Sequence, residues 1–211
     1  MTINLTIQAD VVDIRRDTPQ SDDVFLVDTN VWLWQTYGNA TLRANQSVVR
    51  KSREYSGYLV HAIPTGAKLK YSGLILAELA HVIEKTQWEI FKRRNNSPKL
   101  TAKEYRHNYP QERSVVAALV EGAWSQVTML ASSVDLTVDE RLANIALHRF
   151  QTQALDGYDL FLLEAISRAA LDTVQVLTDD MDYAVVPGIR VFTSNGLAIQ
   201  QAAQQGKLIS R

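Results

Sequence analysis

Two short stretches of the chain, Val24–Val27 and residues 173–178, are apolar almost without interruption. Neither keeps a strict alternation with polar positions, Gln175 being the one polar residue between Val174 and Leu177, so each reads as a strand buried on both faces, the pattern of a parallel sheet covered by helices. Around them the apolar period lengthens to that of helices. Helices are predicted from about Val31, over 41–61, over Leu74–Arg94, and over 111–130, 138–151, 158–171 and 195–205. Shorter strands are predicted at Lys68–Ser72, 133–137 and 188–192. The punctuation agrees. Pro64 and Gly66 break the second helix, Ser72 precedes the third as a cap, and Asn95, Asn96 and Pro98 end it. Residues 95–110 form a polar excursion with some helix near 102–105.

Strands alternating with helices predict an α/β fold, a three-layer α/β/α sandwich around a mostly parallel sheet. Residues 24–211 read as one domain with a basic helical insertion near 86–130. Residues 1–23 read as an N-terminal extension in which 5–7 are a candidate strand. In sheets of this class ligands bind beyond the carboxyl ends of the strands. Asp28 closes the first apolar run and Asp180 follows the second, so both fall at that edge.

Composition adds exclusions. Cysteine is absent, which removes disulfides, thiolate metal sites and a cysteine nucleophile. No apolar run reaches the roughly 18 residues of a membrane span, and the polar, acidic start lacks the pattern of a signal peptide, so a cytoplasmic location is expected. The net charge of −1 hides an asymmetry. Residues 43–113 hold 14 of 22 basic and 6 of 23 acidic residues, leaving the remainder strongly acidic. A polyanion-binding surface beside an acidic site has this signature, and so do two solvated faces of a helical protein.

Four acidic positions stand out. Asp28 ends a buried strand; its competing role is a helix N-cap, and Asn30 is placed to orient it or a metal-held water. Glu78 lies between Leu74 and Val82 on the apolar stripe of its helix, where a buried ion pair to an arginine is the alternative. Asp159 opens a helix apolar nearly all round, with a cap shared with Asp156 as its bland reading. Asp180 lies in the acidic loop Asp179, Asp180, Asp182, with Asp182 as understudy and a solvated loop as the alternative. Thr178 is placed to fix a carboxylate or a metal-held water. Carboxylates on apolar faces cost stability unless answered, and hard divalent cations prefer oxygen donors. Glu89 is expected to pair with Arg93, and Glu164 with Arg168, at helical spacing. The histidines His61, His81, His107 and His148 show no zinc spacing, and serine-hydrolase, P-loop and dinucleotide motifs are missing. Asp28 and Asn30 faintly resemble the paired aspartates of haloacid-dehalogenase-type phosphatases, with the second aspartate replaced. Trp32 and Trp34 cannot share a helix face, so one belongs in the core and the other is a candidate for a dimer contact or for base stacking.

Together these elements resemble the PIN-domain nucleases. The matching residues are Val27, Asp28 and Asn30 after the first strand, Ser72 to Leu79 around Glu78, Tyr158 to Ala165 around Asp159, Val176 to Tyr183 around Asp180, and Val186 to Val191. The resemblance spans roughly residues 24–195. It implies the sandwich fold, Mg²⁺- or Mn²⁺-dependent hydrolysis of RNA, and Asp28, Glu78, Asp159 and Asp180 as metal ligands, with Asp182 beside them. Lys92, Arg93 and Arg94 in the basic segment are expected to hold the RNA backbone. VapC-type toxins of this family imply a homodimer and an antitoxin partner, although this chain is longer, with its extension and insertion. A catalytically degenerate PIN module that binds RNA or protein is the non-enzymatic alternative, and a phosphatase for small phosphoesters the other enzymatic one.

Overall fold

The computed structural model describes residues 4–42, 44–167 and 174–211; of Ala165 and Ile166 it describes the backbone alone. Among the described residues seven strands form one sheet: β1 (Asp10–Asp13), β2 (Val24–Val27), β3 (Lys68–Ser72), β4 (Ser132–Val134), β5 (Val174–Leu177), β6 (Ile189–Thr193) and β7 (Leu208–Ile209). Their order across the sheet is β4-β3-β2-β5-β6-β1-β7, and every pairing is parallel. The described helices are α1 (Thr29–Thr36), α2 (Gln46–Thr65), α3 (Leu74–Arg94), α4 (Ala102–Asn108), α5 (Pro110–Leu130), α6 (Glu140–Thr152), α7 (Gly157–Ser167) and α8 (Gly196–Gln204). From β2 the chain steps outward through β3 to β4, then returns across the sheet to β5 and continues through β6 in the opposite direction. Right-handed crossovers therefore lay α1–α5 on one face and α6–α8 on the other, completing an α/β/α sandwich. The reversal falls between the neighbours β2 and β5, the point where such sheets open a crevice at their carboxyl edge.

Uninterrupted apolar sequence is what the centre of this sheet demands. Phe25, Leu26, Val27, Val176, Leu177, Val191 and Phe192 are all essentially inaccessible. Phe25 meets Phe192 edge-on at 4.8 Å and Tyr58 of α2 at 5.8 Å, so one ring joins two strands to a helix. The insertion has a small core of its own, Phe91, Tyr105 and Val116 with Trp88 and Tyr109 around them. Glu84 of α3 accepts from Arg106 of α4 at 2.7 Å and Arg113 of α5 at 3.1 Å, so one carboxylate ties three helices.

Several boundaries differ from the sequence-based expectation. Residues 5–7 are not a strand. Their backbone is held by side-chain amides of α8 and of the residue that caps its end: Leu5 N donates to Gln201 Oε1 and Ile7 N to Gln205 Oε1, while Gln205 Nε2 donates to Leu5 O. The strand of this region is β1, inserted between β6 and β7; its two apolar residues between aspartates are too few to show a period. Helix α2 starts at Gln46, because 38–41 form a 3₁₀ turn and Asn45 caps the helix by accepting from Val48 N at 3.0 Å. Pro64 lies in its last turn, and Gly66, with φ of 90°, closes it in the left-handed conformation. The strand expected at 133–137 is the shorter β4, and β7 was not foreseen. The helix expected over 158–171 is described to Ser167; its end and Thr173 lie outside the described residues.

Because Phe25 has no room to be replaced by water or by shifted neighbours, Phe25→Ala should cost about 3–5 kcal/mol. Urea unfolding measures this, and a loss below about 1 kcal/mol would contradict the packing described here.

Candidate functional site

Asp28 leaves the end of β2 and caps α1, so the capping role expected of it is real: Oδ1 accepts from Thr29 N at 2.7 Å. Its other oxygen faces the acidic loop. Oδ2 accepts from Thr178 Oγ1 at 2.6 Å and from Asn30 Nδ2 at 2.5 Å. Thr178 ends the neighbouring β5 strand, and its hydroxyl is fully used: it donates to Asp28 and accepts from Asp180 N at 2.8 Å and Asn30 Nδ2 at 3.2 Å. Asn30 closes the ring by accepting from Asp179 N at 3.3 Å. Thus the two strand ends at the switch point are fastened to each other by Asp28, Asn30 and Thr178, as their adjacency in the sheet requires.

The other carboxylates are oriented in the same way, by neutral donors. Glu78, half-buried on α3 beside Ile75 and Leu79, accepts from the Thr29 hydroxyl. Among the described residues it forms no ion pair with an arginine. Asp159, 6% exposed in the first turn of α7, accepts from the Tyr183 hydroxyl at 2.6 Å. The cap there is Asp156, which accepts from Tyr158 N and Asp159 N, so Asp159 is released from capping. Asp182 N donates to Asp180 Oδ1 at 2.9 Å, folding the loop back on itself. Among the described residues none of Asp28, Glu78, Asp159, Asp180 or Asp182 forms an ion pair with lysine or arginine.

The electrostatics follow from that. Burial raises Asp28 to about 7, with Glu78 and Asp180 adding repulsion against the hydrogen bonds from Thr178 and Thr29. Burial raises Asp159 to about 8, helped by the charges of Asp28, Asp156 and Asp180. Glu78 and Asp182 are pushed up too, chiefly by burial and then by neighbours that include Asp180. These mutual effects place the four sequence-predicted carboxylates in one electrostatic neighbourhood. They stand around it rather than closing on a point: among the described residues no three His, Cys, Asp or Glu side chains converge as a metal-holding group. The donor set nevertheless suits a hard divalent cation, being all carboxylate and hydroxyl oxygen, short of positive charge and pre-oriented.

Other expectations have mixed outcomes. Glu89 pairs with Lys92, one position short of Arg93. Glu164 is buried and pairs with Arg149 of α6 at 2.6 Å; Arg168 lies outside the described residues. Trp32 is the core tryptophan, and Trp34 is partly buried against Tyr55 at 5.4 Å. All four histidines are exposed. Lys92, Arg93 and Arg94 end α3, ~20 Å from Glu78 at ~1.5 Å per residue. Lys92 lies over Trp88, and Arg94 pairs with Glu112 and lies over Phe91. Sequence reasoning missed Thr29 and Tyr183, which orient Glu78 and Asp159. Each adjoins a residue singled out, but a neutral hydroxyl carries no signal until its partner is known.

No helix among the described residues is long and apolar enough to cross a membrane. No family model matches the sequence, and no curated protein matches it. Among solved structures the chain is similar to VapBC2 from Rickettsia felis bound to a DNA fragment from its promoter. The TM-score is 0.42 and the identity 12%, covering 80% of this chain and 96% of that one. A likeness at that level carries neither fold nor function.

Raised carboxylates bind protons more tightly folded than unfolded, so the stability they contribute is present at low pH and lost as pH rises. For Asp28 the window runs from its ordinary 3.8 to about 7, and for Asp159 from 3.8 to about 8. In chelator, the wild-type melting temperature should therefore fall through this range relative to Asp28→Asn, whose curve should be flatter. Parallel curves for the two proteins would show that Asp28 is an ordinary solvated acid.

Proposed function

We propose that this chain is a metal-dependent endoribonuclease of the PIN type. The observation that carries the reading is the assembly of Asp28, Glu78, Asp159 and Asp180 from four separate elements at the β2–β5 switch point, with no cationic side chain paired to them among the described residues. Mg²⁺ or Mn²⁺ would be held by these four, with Asp182 adjacent. When bound, such an ion supplies the positive charge that lets a water lose its proton near neutral pH and that stabilises the leaving 3′ oxygen. The remaining work belongs to the chain. Thr178 and Asn30 hold Asp28 so that one oxygen faces the loop. Tyr183 sets the Asp159 carboxyl, and Thr29 sets Glu78. The raised proton affinities come from burial first and from like charge second, and a bound cation would offset both.

RNA is proposed as the substrate from the basic excess of residues 43–113. The exposed end of α3 lies too far from the carboxylates for chemistry and within reach of a strand several nucleotides long. A toxin role, an antitoxin partner and a homodimer are carried by the resemblance alone. The second reading, a degenerate module that binds RNA or protein without cutting, is favoured by one fact: no three of the described carboxylates or imidazoles converge as a metal-holding group.

Cleavage separates the two. With Mg²⁺, the purified wild type should cut RNA, and Asp28→Asn or Asp159→Asn should abolish cutting with the circular dichroism spectrum unchanged. Thr178→Val, which removes an orienting hydroxyl, should lower the rate about 10–100-fold. Full activity in Asp28→Asn would exclude this site, and an inactive wild type that still binds RNA would establish the binding module.

The basic end of α3 has its own test. Replacing Lys92, Arg93 and Arg94 with glutamine should weaken RNA binding and flatten its dependence on salt, since phosphate contacts release counterions. Fluorescence anisotropy at two salt concentrations reads both. Unchanged affinity and slope would leave these charges as partners of the helix C-terminus and of Glu89 and Glu112.

A further inference from the structure

Asp179 and Asp180 are neighbours in the acidic loop, yet they are held to opposite purposes. The charge of Asp180 is felt by Asp28, Glu78, Asp159 and Asp182. Asp179 is taken from the other side by α2: Lys51 Nζ lies 2.8 Å from its Oδ2, and Tyr55 OH lies 3.2 Å from its Oδ1. Its backbone oxygen accepts from Asn195 Nδ2 at 2.9 Å. One turn separates Lys51 from Tyr55, so both reach the loop from one helix face.

Tyr55 is fully buried, and its hydroxyl fits the place closely. A phenol has one proton to give and two positions at which to accept. The proton is shared between Thr178 O, the nearer acceptor at 2.8 Å, and Asp179 Oδ1 at 3.2 Å; Ser194 N, at 2.9 Å, and Thr193 Oγ1, at 2.8 Å, fill the accepting positions. Thr193 in turn accepts from Asn195 N. One hydroxyl thus joins the ends of β5 and β6 at the backbone atom two residues before Asp180. Trp34 of α1 packs on the same ring. The sequence marks neither Lys51 nor Tyr55, and neither is a metal donor.

We propose that Tyr55 and Lys51 are positioning residues that set where Asp180 stands, by gripping the Thr178 carbonyl and the Asp179 side chain from the far side of the loop. The proposal rests on the reading of Asp180 as a metal ligand. The Asp179 carboxylate is accordingly an anchor, which is why only one of two adjacent aspartates serves the site.

Mn²⁺ binding to the purified full chain, followed by electron paramagnetic resonance, tests it on wild type, Tyr55→Phe, Lys51→Met and Lys51→Arg. Tyr55→Phe keeps the ring against Trp34. It and Lys51→Met should raise the Mn²⁺ dissociation constant about 10–100-fold, and Lys51→Arg should restore most of the loss. In chelator, amide hydrogen exchange at Asp180 and Asp182 should quicken in Tyr55→Phe. A merely structural role would lower the melting temperature and leave the dissociation constant alone. Wild-type Mn²⁺ affinity in both Tyr55→Phe and Lys51→Met, or unchanged exchange at Asp180, would overturn the proposal and leave the metal reading standing. No Mn²⁺ binding by the wild type would overturn both.

Discussion

Asp28 is a carboxyl group enclosed by protein, only 5% exposed, and answered by a backbone amide, a hydroxyl and an amide side chain instead of a cation. Neutral donors orient a carboxylate, but they do not cancel its field in surroundings of low dielectric. Glu78, Asp159 and Asp180 crowd the same region, and the fold thereby creates a place where negative charge is costly and carboxylates hold protons more tightly than in water. The parallel sheet forces this arrangement. Strands β2 and β5 are neighbours because the chain reverses between them, so whatever follows each strand must meet at the same edge.

What keeps the repelling groups in place is a frame of short-range contacts behind them. Thr178, Asn30, Thr29 and Tyr183 each use a neutral hydrogen bond to fix one carboxylate. Tyr55 and Lys51 hold the loop that carries Asp180. Beneath the frame lie Phe25, Leu26, Val176 and Phe192, whose burial favours the strands strongly enough to oppose the repulsion above. The insertion has its own aromatic core and is tied by Glu84, so it adds basic surface without disturbing this arrangement.

Much of this was legible in the sequence, for physical reasons that also explain the omissions. Strands buried on both faces are largely apolar, so β2, and β5 apart from Gln175, announced themselves and located Asp28 and Asp180. Glu78 was conspicuous because a carboxylate on an apolar helix stripe is costly. By contrast, β1 has two apolar residues and β7 only two residues in all, too few for a period. The N-terminal residues 5–7 are held by glutamine side chains that no pattern distinguishes from surface glutamines. Tyr55 is one of several aromatics along α2, and Thr29 one polar residue in a strand–helix turn, so neither stands out by type or spacing. Their importance comes from partners more than 40 positions away, as with Thr29 and Glu78 or Tyr55 and Thr178. Charge pairing was hard to read for the same reason: Glu164 finds Arg149 on another helix, a partner that spacing along its own helix does not reveal.

The central claim is that the negative field at the β2–β5 edge exists to hold a divalent cation. Crystals of the chain soaked in Mn²⁺ and measured at the manganese absorption edge test it most directly. An anomalous peak within about 2.0–2.3 Å of oxygens from Asp28, Asp180 and at least one of Glu78 and Asp159 is the predicted result. Well-ordered carboxylates with no anomalous density between them, in crystals that take up Mn²⁺ elsewhere, would contradict it.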